Sequence, residues 1–152
     1  MSLKIRIADD MKGAMRARDS RRLGAIRLLQ AAIKQREVDE RVELDDAQVT
    51  AIVEKQIKQR RDSIAQFRTA GRDDLVAAET AELEVLSAYL PAQAAPDEIA
   101  AAIDAAIVAT GATGPGDMGK VMARAKAALA GRADMGAVSA HIKERLAKRP
   151  AV

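Results

Sequence analysis

Apolar residues recur every three or four positions along most of this 152-residue chain, and that spacing predicts α-helices. The clearest stretch is residues 45–91. Its first half predicts one helix between Asp45 and Gly71, because Asp45 and Gln48 fit a capping box and Gly71 suits the left-handed position after a helix. The apolar face of this helix consists of Val49, Ile52, Val53, Ile57, Ile64 and Phe67.

A second helix follows and is expected to stop at Pro91, since proline removes a donor and clashes with the preceding turn. Its apolar residues are Leu75, Val76, Leu83, Leu86 and Leu90. Two more helices are predicted earlier, one capped by Ser2 and one by Asp19 or Ser20. Their apolar stripes are Leu3, Ile7, Met11 and Met15, then Leu23, Ile26, Leu29 and Ile33. Residues 1–91 are therefore predicted to form an N-terminal domain of four helices.

The segment from Pro91 to Pro96 has small residues between two prolines and marks the predicted domain boundary. Three shorter helices are predicted after it. Their expected limits are Pro96 to Gly111, Asp117 to Gly131, and Asp134 to the residue before Pro150. The sequence thus predicts an all-α protein, with a four-helix N-terminal part followed by a three-helix C-terminal tail module over residues 96–149.

The composition excludes several classes of protein and site. No alternating apolar run predicts a sheet, and no apolar run is long enough to span a membrane. Cysteine is absent and His141 is the only histidine, so we expect no metal site and no cofactor. The N-terminus mixes charged and aliphatic residues, unlike a signal peptide, and the lack of cysteine fits a reducing compartment. We therefore expect a cytoplasmic protein.

The net charge of +3 hides five blocks of alternating sign. The net charges are +7 for residues 1–36, −6 for 37–54, +5 for 55–72, −8 for 73–104 and +5 for 105–152. Such blocks can pair with one another across helices, or they can leave a basic surface for a partner with a phosphate backbone. Aromatic residues make up only 1% of the chain, so any nucleic-acid binding should use the backbone and its shape rather than base stacking.

A glycine-rich loop over residues 111–120 is the one chemically suggestive motif. Gly114 to Lys120 matches G-x-x-x-x-G-K, but Val121 stands where a phosphate-binding loop has Ser or Thr, and a helix rather than a strand precedes the loop. The simpler interpretation is a turn in which Asp117 caps the next helix. An intermediate possibility is that the helix start and Lys120 contact a nucleic-acid phosphate. We identify no catalytic residue, since His141 is expected on a helix flank.

Three stretches of the chain resemble the GatB/YqeY family over nearly the whole length. They are LKIRIADDMKGAMRARDSRRLGAIRLLQAAIK, KQIKQRRDSIAQFRTAGRDDLVAAETAELEVLSAYLPAQ and GDMGKVMARAKAALAGRADMGAVSAHIKERL. The tail is the most specific, because Gly119-Lys120-Val121-Met122 and Gly131-Arg132-Ala133-Asp134 resemble the family signature. Ser139 stands where the amidotransferase members usually carry Asn.

This resemblance implies an all-helical fold in two parts, related to the C-terminal region of the B subunit of the tRNA-dependent amidotransferase. That enzyme amidates Glu-tRNA or Asp-tRNA with glutamine and ATP, and its catalytic, ATP-binding and metal-binding parts lie in a separate, larger N-terminal region. The resemblance therefore implies a tail that faces tRNA and no catalysis by this chain alone. The tRNA-facing candidates are Lys120, Arg124, Lys126, Arg132 and Lys143.

Three functional hypotheses follow from the sequence. The first is a tRNA-binding accessory protein. The second is an adaptor that docks a protein partner, for which an aminoacyl-tRNA synthetase or an amidotransferase subunit is the candidate. The third is an enzyme with carbon–nitrogen ligase activity and glutamine as amido-nitrogen donor, the label that the family would confer; we expect no such activity from the isolated chain.

Overall fold

The computed structural model describes residues 2–148, which contain seven α-helices, one short 3₁₀ turn and no strand. The predicted all-α fold is confirmed. The helices are α1 Leu3–Arg16, α2 Ser20–Glu40, α3 Asp46–Thr69, α4 Asp73–Ser87, α5 Pro96–Thr110, α6 Met118–Leu129 and α7 Met135–Ala147, and the 3₁₀ turn is Pro115–Asp117. They belong to two compact units, Met1–Leu90 and Pro91–Val152. Whether residues 1–91 and 96–149 fold as independent domains stays a prediction.

The helices of the N-terminal unit begin at the caps that the sequence predicts. Asp45 accepts the N–H of Gln48 at 2.8 Å while the Gln48 side chain accepts the N–H of Asp45 at 3.0 Å, so the capping box is present. Asp19 accepts the N–H of Arg22 at 3.1 Å, and Ser2 caps α1 in the same way. Each such cap contributes about 1 kcal/mol to helix stability.

The core of the N-terminal unit is aliphatic apart from Tyr89. Leu29, Val53 and Leu86 are fully buried there, each on a different helix of the unit. Complete burial of such a side chain stabilises the fold by about 1.5–3 kcal/mol. The Tyr89 hydroxyl donates to Asp10 at 2.7 Å, and burial raises the pKa of this phenol. Helix α1 is thereby fastened to the chain that follows α4.

One position of the predicted apolar pattern and one predicted helix end are wrong. Met15 is 50% exposed, and Ala14 takes the core position instead. The reason is geometric: each four-residue step turns about 40° beyond a full helical turn, so the predicted stripe has rotated about 120° by Met15. Helix α4 ends at Ser87 rather than at Pro91, and a turn carries Leu90 back against the core.

Half-buried ion pairs join the helices of this unit. The Lys4 ammonium lies 2.9 Å from Glu37 and 3.1 Å from Glu43. Its hydrogen bond to Glu37 is the largest of the effects that lower the pKa of that carboxyl. Arg60 of α3 bridges Glu79, at 2.9 Å, and Glu82 on α4. The alternating charge blocks are thus used in part for pairing within the fold.

The C-terminal unit has a separate aliphatic core. Ile103 of α5, Val121 of α6 and Ile142 of α7 are completely buried in it. Helix α5 starts with Pro96 at its first turn and ends at Gly111, whose φ of +64° is the left-handed conformation expected there. No single helix in the described residues is long and apolar enough to cross a membrane; α5 and α6 together meet the length and composition criteria, but with a bend of 97° between them.

Asp117 does not cap α6 as predicted. It lies in the 3₁₀ turn, and its carboxylate accepts the N–H groups of Thr113 at 2.9 Å and Gly114 at 3.4 Å. These backbone hydrogen bonds, from Thr113 and then Gly114, lower the pKa of Asp117. The carboxylate therefore closes the glycine-rich loop on itself and fixes where α6 begins.

Replacing Gly71 with alanine should destabilise the N-terminal unit by about 1–2 kcal/mol, because Gly71 has a φ of +71° that a Cβ disfavours. Gly24→Ala is the matched control. Gly24 lies inside α2, and an added Cβ meets nothing within 4 Å at either position. The control should be neutral or more stable by up to about 1 kcal/mol, as expected for Gly→Ala in a helix. Urea unfolding followed by circular dichroism measures both, and equal stabilities would contradict the prediction.

Acidification should destabilise the C-terminal unit partly through Asp117. Its folded pKa is lowered below the ordinary value of 3.8, so its contribution to stability is present above that value and is lost as the pH falls through the folded pKa. Asp117→Asn should be less stable than the parent near pH 7, and the difference should shrink below pH about 4. Thermal unfolding over a pH series tests this, and a difference that does not depend on pH would contradict it.

Candidate nucleic-acid interface

Lys120 and Arg124 share the outer face of α6. Val121, Ala125 and Leu129 turn the opposite face into the core, and the two cations stand one turn apart on the exposed side. Side chains four residues apart on a helix have Cβ atoms about 5–6 Å from each other. Neither cation forms an ion pair with a described residue. The pair can therefore hold adjacent phosphate oxygens without first breaking a salt bridge.

Lys126 and Lys143 lie elsewhere on the C-terminal unit. Lys126 is exposed but follows Arg124 by two residues, which places it about 160° away around α6. Lys143 is exposed on α7, next to the buried Ile142. Of the five candidates, the structure brings only Lys120 and Arg124 onto one helix face.

Arg132 has an internal structural role. Its Nε donates to the carbonyl of Ala92 at 3.1 Å, and its Nη2 lies 2.6 Å from Glu98. Its own carbonyl accepts the N–H of Ala94 at 2.7 Å. The preceding Gly131 is buried and has a φ of +72°. Arg132 therefore fastens the segment before α5 to the turn after α6, and replacing it would disturb the fold as well as any bound partner.

The glycine-rich loop lacks the features of a phosphate cradle. None of Gly114, Gly116 and Gly119 has a positive φ, and a Cβ added at any of them would meet nothing within 4 Å. The amides of Thr113 and Gly114 already donate to Asp117. The loop therefore turns the chain and starts α6, and it places Lys120 in the first turn of that helix.

The described residues contain no group of three or more His, Asp or Glu side chains able to hold a metal ion. His141 is exposed on α7, on the flank where the sequence places it. Glu144, three residues further along α7, has its pKa lowered mainly by a hydrogen bond from Lys148. This neighbourhood is that of an exposed helix surface.

None of the five candidates from the sequence belongs to a second set of exposed cations, which lies on α1, α2 and the turn between them. They share high exposure and the absence of an ion pair with any described residue. They are Lys12, Arg16, Arg18, Arg21, Arg27 and Lys34. The signal that could have found them is the net charge of +7 over residues 1–36, the largest positive block in the chain.

Comparison with known proteins finds relatives that are similar to part of this chain. The proteins named Altered inheritance of mitochondria protein 41, mitochondrial, are similar to this chain. The one from Eremothecium gossypii is 41% identical over 102 residues, covering 65% of this chain and 56% of that protein. The one from Lachancea thermotolerans is 40% identical over 82 residues, covering 53% and 44%. The chain spans about half the length of the curated relatives it matches.

These comparisons correct one expectation and confirm another. The expected cytoplasmic location is wrong, because the relatives are named as mitochondrial proteins. The resemblance noted in the sequence is confirmed by a family model described as Yqey-like protein, which matches residues 4–146. This chain belongs to the YqeY-like protein family.

Proposed function

We propose that this protein is a tRNA-binding accessory protein whose C-terminal unit contacts the phosphate backbone through the outer face of α6. The observation that carries the proposal is the pair Lys120 and Arg124, exposed on one face and in no direct ion pair with a described residue, although Asp117 is close enough for the charge of Lys120 to lower its pKa. An arginine can donate two parallel hydrogen bonds to a phosphate, and a lysine adds a compact point charge. Such a surface recognises backbone and shape rather than base sequence.

The choice of tRNA rests on the relation of the family to the C-terminal region of the amidotransferase B subunit. A protein of this kind would present Glu-tRNA or Asp-tRNA to a separate enzyme that supplies the amidation chemistry. The names of the relatives favour a mitochondrial setting for this role. This chain matches only about half of each relative. The proposed role therefore concerns only the part of those proteins that this chain matches.

A protein-docking adaptor is the second candidate, favoured by apolar side chains left in solvent on the N-terminal unit. Leu28 and Val38 on α2 are 54% and 59% exposed, and Val42 after it is 46% exposed. An aminoacyl-tRNA synthetase or an amidotransferase subunit is the partner class. A complex with such an enzyme that survives nuclease treatment and is lost in Val38→Asp would favour docking over RNA binding.

The double variant Lys120→Ala/Arg124→Ala should bind total tRNA about tenfold more weakly than the parent. The slope of log K against log salt should become shallower by about 1–2, since each lost phosphate contact removes roughly 0.7–0.9. Fluorescence anisotropy over a salt series measures both quantities. Arg132 is left intact, because its contacts with Ala92 and Glu98 support the fold.

The matched control is Lys58→Ala/Arg61→Ala, which removes the same charge from the exposed surface of α3. It should bind tRNA nearly as well as the parent. If the α6 variant keeps the parental affinity and slope, or if the control loses as much, the α6 surface is not the tRNA contact.

The purified chain should release no amidated product from Glu-tRNA when it is supplied with glutamine and ATP. We expect this because the resemblance implies that the catalytic and ATP-binding parts of the amidotransferase lie in a different region of that enzyme. Chromatography of the deacylated amino acid detects glutamine formed from glutamate. Formation of glutamine above that of a no-protein control would show that the chain is itself a ligase.

A further inference from the structure

We propose that the hairpin of α1 and α2 carries a second phosphate-binding surface, which holds the backbone of an RNA bound by this protein. The inference rests on the proposed function insofar as tRNA is the RNA, and it extends that function to the N-terminal unit. The basic hairpin surface is defined by Lys12, Arg16, Arg18, Arg21, Arg27 and Lys34.

The fold separates these six cations from the other basic residues of the same block. Lys4 is held by Glu37 and Glu43, Arg22 lies 3.8 Å from Asp10, and Arg36 lies 2.8 Å from Glu40. Arg6 stacks over the ring of Tyr89. The six that remain are exposed and form no ion pair with a described residue. Contacts within the fold therefore hold four of the ten cations of this block, and the other six remain at the surface.

Helix geometry places four of the six, Lys12, Arg16, Arg18 and Arg21, at the turn end of the hairpin, and the other two along one flank of α2. Lys12 and Arg16 are one turn apart on the outer face of α1, opposite the buried Ile7 and Ala14. Arg16, Arg18 and Arg21 lie within six residues of one another around the turn between the two helices.

The other two cations extend this surface along α2. Lys34 lines an open hollow together with Lys4 of α1 and Gln30 of α2, so it stands on the flank of α2 that adjoins α1. Arg27 precedes Lys34 by two helical turns and lies on the same flank. The basic hairpin surface therefore runs from the turn along the α1 side of α2.

Arg18 lies at the tip of the turn in a backbone conformation that glycine adopts more easily than arginine. Its φ of +55° is left-handed, a conformation that strains any residue with a Cβ. Three of the five left-handed residues in the described chain are glycines, Gly71, Gly111 and Gly131; Arg18 and Arg41 are the exceptions. A glycine at position 18 would relieve the strain. Arginine at this position therefore lowers the stability of the fold slightly, and it places a guanidinium group at the turn between α1 and α2. Strain retained where a simpler residue would relieve it is typical of functional positions.

Three carboxylates lie within this surface and weaken it only locally. Glu37 lines the same hollow as Lys34, whose charge helps to lower the pKa of that carboxyl, so Lys34 is the least available of the six cations. Asp19 accepts the N–H of Arg22 and so serves as the cap of α2. Asp9 is exposed on α1, three residues before Lys12, and reduces the field around that lysine. The arginines around the turn therefore form the strongest part of the surface. Their guanidinium groups match phosphate oxygens in geometry as well as in charge.

A polyanion fits this surface better than a membrane does. Helices that lie in a membrane interface present one continuous apolar face. The exposed apolar residues of the hairpin are scattered: Ile5 and Met15 are ten residues apart on α1, and Leu28 and Val38 are ten residues apart on α2, with Leu28 next to Gln56 of α3. No aromatic residue is present on the hairpin to stack on bases. The chemistry therefore favours the phosphodiester backbone of RNA, read by charge and shape.

The test is the full-length triple variant Arg16→Ala/Arg18→Gly/Arg21→Ala. It should bind total tRNA at least about tenfold more weakly, with a salt slope shallower by about 2–3, as expected for the loss of three phosphate contacts. The matched control is Lys58→Ala/Arg61→Ala/Arg68→Ala, which removes three exposed cations from α3 of the same unit. Both variants lower the net charge from +3 to 0.

The control should retain most of the affinity. Equal losses in both triple variants would mean that only net charge matters, and an unchanged hairpin variant would mean that the surface makes no contact; either result overturns the proposal. The single variant Arg18→Gly covers the case in which the triple variant fails to fold. It should melt at the same temperature as the parent or higher and still bind tRNA more weakly, whereas unchanged binding would overturn the proposal.

Three further comparisons separate this inference from the proposed function and from a lipid surface. If the hairpin triple variant weakens binding and Lys120→Ala/Arg124→Ala does not, the α6 assignment fails and the basic hairpin surface stands. If the parent binds an unrelated duplex RNA through the hairpin as well as it binds tRNA, tRNA specificity fails and the surface stands. If the parent binds neither RNA but sediments with vesicles of phosphatidylcholine and phosphatidylglycerol, the RNA proposal is overturned.

Discussion

Two aliphatic cores constrain everything else in this chain, because each helix must turn one narrow face inward to fill them. The cores hold Ile, Leu, Val and Ala, with Tyr89 as their one buried aromatic residue among the described positions. Side chains this small fill a core only when the helices pack closely. Closely packed helices leave little room for polar groups, and no charged residue is buried in the described part of the chain. Nearly all of the charge therefore lies on the outer surfaces or along the seams between helices.

The contacts between helices determine which cations remain free to bind a partner. Lys4, Arg60 and Arg132 each lie between carboxylates or carbonyls of a different segment, and each joins parts of the chain that are far apart in sequence. Such partly exposed pairs contribute little energy individually, on the order of 1 kcal/mol or less. Their larger effect is on availability, because a cation already held by the fold can bind a phosphate only by giving up its partner. This distinction explains why exposed cations such as Lys120 and Arg18 carry the functional proposals and Arg132 does not.

Much of the fold is predictable because helix caps and turns depend on residues that are close together in the sequence. The capping box of Asp45 and Gln48 and the left-handed Gly71 depend only on residues within one turn, so the sequence is sufficient to find them. The apolar position taken by Ala14 was missed because a four-residue step drifts around the helix. The role of Arg132 was missed for a different reason: its acceptors, Ala92 and Glu98, lie 40 and 34 residues away, and one of them is a backbone carbonyl that no sequence motif identifies.

Two modest basic surfaces on separate units are physically sufficient for RNA binding if both engage one molecule. Each surface by itself would release RNA easily at physiological salt, since its attraction comes from a few exposed charges. Once one surface is bound, the other meets the same RNA at the effective concentration set by the chain that joins them, and the combined affinity exceeds either one. That arrangement needs no deep pocket, no aromatic platform and no metal ion. It also accounts for a chain whose largest positive block lies at the opposite end of the sequence from its glycine-rich loop, because the two ends would act as separate contacts rather than as parts of one site.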